Sequence, residues 1–160
     1  MRPIKILPYL LLVILLTLLA PEETPAQHTD SDQIWKTMLS DVRVRYTWSV
    51  KHGAYITRAR FGEQVQQLDG QEVTLKGFFL AADLTGNLFV LSNNPMATCF
   101  FCGVAGIESV IEIEPHPDDL RIFKRLRTDN YIEVKGKLQL NPDDFERLIY
   151  ILKDTRIIKF

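Results

Sequence analysis

The chain has 160 residues, 46% of them hydrophobic and 24% charged, with a formal net charge of -1. That size predicts a single globular domain, and its 19 basic residues are dispersed among 20 acidic ones. A nucleic-acid partner needs a basic patch against its phosphates; the linear sequence supplies none, so none is expected, although folding can gather scattered Lys and Arg.

Arg2 and Lys5 open an apolar run from Ile6 to Ala20. It is shorter than the roughly 20 residues a membrane span needs and close to the upper limit of a signal-peptide core. Thr24-Pro25-Ala26 places small residues before a cut at Gln27. Residues 1–26 read as a signal peptide, with an uncleaved N-terminal anchor as the alternative. Either way the rest is exported, to the periplasm or as a secreted protein, and meets a membrane only through an uncleaved N-terminus. Cutting there removes Arg2, Lys5, Glu22 and Glu23, so the charge stays at -1.

Residues 27–67 read as an N-terminal extension of helix and strand. Asp30 with Gln33 resembles a capping-box start, and Ile34, Trp35, Met38 and Leu39 give a short amphipathic helix. From Asp41 to Val50 the period becomes two, with Val42, Val44, Tyr46, Trp48 and Val50 alternating with polar residues. Such alternation marks a half-buried strand, which His52-Gly53 ends. Residues 54–67 read as irregular, with a helical turn around Glu63 to Gln67.

The pattern from residue 68 is more regular. Asp69-Gly70 is a turn signal leading into a strand over Glu72 to Leu80, with Gly77 inside it. Thr85-Gly86-Asn87 turns the chain into Leu88 to Leu91, and a third strand covers Ser109 to Glu114, stopped by Pro115. Asp118 and Asp119 open a helix through Leu126, their charges favourable at its N-terminus. Tyr131 to Leu140 is the clearest strand, with Ile132, Val134, Leu138 and Leu140 on one side and Gly136 between them. A last strand runs through Leu148 to Leu152 towards Ile158. Five strands with a helix between the third and fourth predict an OB-like Greek-key barrel over residues 68–160. Gly77 and Gly136 would permit the sharp bends that closing so small a barrel requires. A generic antiparallel α+β domain is the alternative.

Cys99 and Cys102, the only cysteines, lie in the connection between the second and third of these strands, within Thr98-Cys99-Phe100-Phe101-Cys102-Gly103. Two thiolates spaced C-x-x-C can hold one side of a zinc ion. A closed zinc site takes four ligands, so His116, an acidic residue or the same pair of a second subunit in a homodimer must complete it. Met96, three residues before Cys99, adds a thioether, and two thiolates with a thioether suit Cu(I). A redox pair is a further reading, but such a motif needs a depressed thiol pKa at a helix start, and here a strand follows. A structural disulfide is the plainest one, since exported cysteines tend to oxidise. In that case the face carrying Phe78, Phe89, Phe100 and Phe101 is a candidate surface for a protein or peptide. No nucleophile elbow, phosphate-binding glycine loop or H-E-x-x-H pattern occurs, and no catalytic residue is assigned.

Four stretches carry a resemblance: Leu68 to Phe78 (L-D-G-x-x-V-x-L-K-G-F), Cys99 to Gly103 (C-F-F-C-G), Val134 to Leu138 and Tyr150 to Asp154. Over residues 65–157 the chain resembles a family of exported bacterial envelope proteins known only as a domain of unknown function. The resemblance implies an accessory of an envelope transport complex, of the ABC-type export or metal-uptake kind. It brings no established activity.

Overall fold

The computed structural model describes residues 30–82 and 88–160. The signal-peptide reading of residues 1–26 and the turn at Thr85-Gly86-Asn87 lie outside them. In chain order the elements are α1 (Ser31–Ser40), β1 (Val42–Ser49), β2 (Ala54–Phe61), α2 (Glu63–Gln66), β3 (Glu72–Ala81), β4 (Phe89–Ser92), β5 (Val110–Pro115), α3 (Leu120–Phe123), β6 (Tyr131–Leu140) and β7 (Tyr150–Lys159). Three short 3₁₀ turns, Met96–Thr98, Phe100–Cys102 and Ile107–Ser109, lie between β4 and β5.

The last five strands close into a barrel in the order β3-β4-β5-β7-β6. Every neighbouring pair is antiparallel except β5 and β7, which run parallel. This is the expected five-stranded OB-like barrel. Its side chains alternate as period two requires: in β6, Ile132, Val134 and Leu138 are buried while Lys135 and Lys137 face out. The ring is small enough that two strands cross with almost no room between them. A Cβ on Gly77 would stand 2.6 Å from the carbonyl oxygen of Ser92, and one on Gly136 would stand 2.7 Å from that of Lys153. Both glycines are therefore demanded by the close approach of a neighbouring backbone. Opposite Gly136, β7 carries a bulge: Lys135 pairs with Arg156 and Lys137 with Lys153, and Asp154 between them has φ 52°.

The helix between the third and fourth barrel strands shrinks to the single turn α3. It contributes one fully buried side chain, Phe123, to an aromatic cluster with Phe79 and Phe89. Residues beyond it turn instead, with Arg127 bonding Asn130 and Asp129 at φ 68°.

The N-terminal extension shares the barrel's core: Ile34, Trp35, Met38, Phe61 and Val65 belong to the same apolar cluster as Leu75, Leu91 and Leu138. The first half of β3 pairs with β6, but β4 joins it only from Phe78 onward. At this gap α1 takes the strand's place. Lys76 N–H donates to Ser31 Oγ at 2.8 Å, and Lys76 C=O accepts from the Trp35 indole at 2.8 Å. An open strand edge invites pairing with other chains, and here a helix covers it.

Residues 54–61, expected to be irregular, form β2 and pair with β1 along its whole length, from Val42 opposite Phe61 to Ser49 opposite Ala54. The hairpin is a separate two-stranded sheet. Its base packs Val42, Val44, Ala59 and Phe61 against the core.

Candidate functional site

The chain leaves β4 at Ser92 and does not re-enter the barrel until Val110, so residues 93–109 form a loop over one end of the ring. Ser92 Oγ accepts from the Asn94 amide at 3.1 Å, and Asp129, in the turn before β6, accepts from the Met96 amide at 2.7 Å. These ties fix Pro95 as the start of two consecutive 3₁₀ turns, separated by Cys99 in an extended conformation. Gly103 ends the second turn at φ 73°, where a side chain would be strained.

This double turn brings three sulfur atoms together. Cys99 is fully buried and Cys102 is exposed; the two lie 4.4 Å apart and both are free thiols. A disulfide bond is about 2.05 Å long, so the structural-disulfide expectation is not met in this structure. Cys99 Sγ lies 3.9 Å from Met96 Sδ, and the Cys102 thiol donates to the Met96 carbonyl at 2.8 Å. The Cys102 pKa is pushed up, first by desolvation, then by neighbouring Cys99 and Asp129. A nucleophilic redox cysteine needs the opposite shift, and 3₁₀ turns of three residues supply no long helix dipole to provide it.

His116 does not join this cluster. It follows the last residue of β5 while the cysteine loop precedes the first, so a six-residue strand of about 20 Å separates them. Its ring belongs to a charged network instead. Nδ1 accepts from the Asp118 amide at 3.2 Å, Arg156 Nη2 lies 2.9 Å from Nε2, and the carboxylates of Asp118 and Asp154 stand 3.4 and 3.8 Å away. Among the described residues no three His, Cys, Asp or Glu side chains are gathered as metal ligands. The sulfur of Met96 is therefore the third donor that the fold offers Cys99 and Cys102 within this chain.

The four phenylalanines expected on one outer face are divided. Phe89 points inward and is buried against Phe79 and Phe123. Phe78 is half-buried beside Tyr131, and only Phe101 of the pair Phe100–Phe101 is exposed.

One cluster escaped sequence reasoning. Arg43 stands opposite Arg60, and Arg45 opposite Arg58, on the hairpin of β1 and β2. The four line a cleft of about 310 Å³ with Pro142 and Asp143. The signal was present in the alternation of Arg58 and Arg60 with Thr57, Ala59 and Phe61, once residues 54–61 are taken as a strand.

Compared with known proteins, the chain matches no family model, and no curated protein is similar enough to count as a relative.

Proposed function

We propose that this protein is an exported, non-enzymatic binding module of the bacterial envelope that holds a soft transition metal through Met96, Cys99 and Cys102. The observation that carries the reading is the sulfur trio on one loop. Three sulfurs in a plane around one ion, each at a metal–sulfur distance of about 2.3 Å, would stand about 4 Å apart. Separations of 3.9 Å for Met96–Cys99 and 4.4 Å for Cys99–Cys102 bracket that value. A thioether beside two thiolates favours Cu(I) over zinc, which prefers four harder or thiolate donors. One thiol is buried and the other exposed, so an ion enters from the Cys102 side. The resemblance to envelope proteins suggests a partner: an envelope transport complex that delivers or receives the ion.

Native mass spectrometry of the reduced full chain, with Cu(I) held by a competing chelator, tests this. One Cu(I) per chain is expected, lost in both Cys99→Ser and Cys102→Ser. Absence of an adduct, or unchanged affinity in either variant, defeats the proposal. The competing reading is thiol–disulfide exchange, against which the raised Cys102 pKa argues. A redox titration placing the pair in rapid equilibrium with glutathione would restore it.

A further inference from the structure

The hairpin β1–β2 carries an apolar face that outruns its support. Cross-strand partners share a face, so Val42, Val44, Tyr46 and Trp48 line up beside Phe61, Ala59, Thr57 and Tyr55. The base of this face rests on the core. Past Val44 the described residues leave it largely uncovered: Tyr46 is 64% exposed, Trp48 53%, Tyr55 71%, and Val50 at the turn 88%. Trp48 and Tyr55 pack edge to face at 5.2 Å, forming one aromatic tip.

The other face holds Arg43, Arg45, Arg58 and Arg60, all exposed. Like charges directly opposite each other destabilise a sheet. Only Arg58 meets an acid, Asp143 at 3.7 Å, and among the described residues Arg43, Arg45 and Arg60 have none. The other basic cleft differs in this respect. Lined by Lys135, Lys137, Lys153 and Arg156, it also contains Glu72 and Asp154, and Glu72 lies 2.6 Å from Lys135. Among the described residues the arginine pairs are four clustered cations with a single ion pair between them, and they share a hairpin with the exposed rings of Tyr46, Trp48 and Tyr55.

We infer that the β1–β2 hairpin is a membrane-docking element, whose aromatic tip enters the interface of an anionic phospholipid surface while the arginines bind headgroup phosphates. The dimensions fit. Arg45 and Arg58 stand four rows behind Ser49 and Ala54, about 13 Å from the tip at the rise of a strand. Amphipathic segments sink about 5–10 Å into the headgroup–acyl boundary, which leaves these guanidiniums at the level of the phosphates. Trp and Tyr favour that boundary, since each has an apolar body and a polar end. Lys51 in the turn and Arg43 with Arg60 behind add attraction within a Debye length. A nucleic acid lying in the arginine cleft would leave the aromatics in water on the opposite face. A bilayer entered edge-on uses both faces at once. Among the described residues no helix is long and apolar enough to span a membrane, so this contact is peripheral and distinct from any made by residues 1–26.

The test uses the full chain with vesicles of phosphatidylglycerol or phosphatidylcholine carrying brominated acyl chains, which quench tryptophan at defined depth. Trp35 is buried, so Trp48 reports the hairpin whatever the N-terminus does. Quenching with a blue shift is expected in phosphatidylglycerol only, absent in Trp48→Phe. In Arg45→Gln/Arg58→Gln the inserted fraction should correspond to an equilibrium constant about thirty-fold lower, from about tenfold to the power of 0.7 per cationic side chain near an anionic surface. No quenching, equal quenching in the neutral lipid, or no change in the arginine variant overturns the inference. So does single-stranded oligonucleotide binding through these arginines without quenching, or self-association abolished by Trp48→Ser.

Discussion

The phenolic hydroxyl of Tyr150 donates to the carbonyl of Met38 at 2.8 Å, joining the first residue of the last strand to the last turn of the first helix. The carbonyls of a final helical turn have no partner within the helix; Tyr150 supplies one from inside the core. Tyr150→Phe should cost about 1–2 kcal/mol, the penalty of a lost buried hydrogen bond, read from urea unfolding with an unchanged slope.

The same residue predicts an alkaline limit. Burial, followed by the charges of Glu108 and Asp41, pushes the Tyr150 pKa well above the ordinary tyrosine value. In the unfolded chain Tyr150 loses its proton near pH 10, before the folded state does. Above that pH the unfolded state binds fewer protons, so stability falls as pH rises towards the folded pKa. Below about pH 10 the contribution is fully present. Tyr150→Phe should flatten this part of the stability–pH curve; an identical decline in the variant would refute the assignment.

Gly77 and Gly136 should resist even the smallest side chain. Alanine at either position drives a Cβ against a strand backbone at 2.6–2.7 Å, and backbone in a closed ring has little freedom to retreat. A loss of about 2–3 kcal/mol each is expected from overpacking. Gly70→Ala, whose Cβ meets only Lys137 Cε at 3.8 Å, should cost about 1 kcal/mol through its positive φ alone. Thermal unfolding of the three variants gives the order.

Arg147 bridges Glu112 and Glu114, with both contacts at 2.6 Å and Glu112 largely buried. Both carboxylates favour the charged guanidinium and push its pKa up. Arg147→Met leaves two acids side by side without a cation. Partial exposure screens the loss, so about 1–2 kcal/mol is expected, measured by denaturant titration at neutral pH. Arg147→Lys should restore only part of it, because a lysine cannot reproduce the fork.

At the proposed metal site, Met96→Leu should separate the two candidate ions. Removing the thioether should weaken Cu(I) by about tenfold and leave zinc nearly unchanged. Binding must also displace the Cys102 proton, which the raised pKa keeps in place at neutral pH. Affinity for either ion should therefore rise with pH through and beyond the ordinary thiol range. A pH-independent affinity would mean that Cys102 is not a ligand.

The barrel was readable because its strands separate polar from apolar by face. Tyr131 to Leu140 alternates without error, and β6 has those bounds. β2 fails that test: Ile56 is buried on the arginine face while Ala59 and Phe61 pack on the other. With apolar residues on both faces the period-two signal shrinks to the alternation over residues 57–61, too short by itself to reveal the pairing of Arg43 with Arg60. The sulfur site was legible for a different reason, because a reach of six residues from Met96 to Cys102 keeps its donors local. His116 is set apart by the strand expected at Ser109 to Glu114, which lies between it and Cys102 and holds its two ends about 20 Å apart whichever way it runs.

The seal on the edge of β3 has a consequence for how the chain folds. Ser31 accepts from the Lys76 amide 45 residues away, Trp35 donates to the Lys76 carbonyl 41 residues away, and the anchor of the same helix, Tyr150, lies 112 residues from Met38. Contacts of such long sequence separation form slowly, since a large loop must close before they contribute. Helix α1 is therefore a late arrival in folding. Until β7 docks, helix α1 lacks its Tyr150 anchor, and its cover of the β3 flank rests on the Lys76 contacts alone.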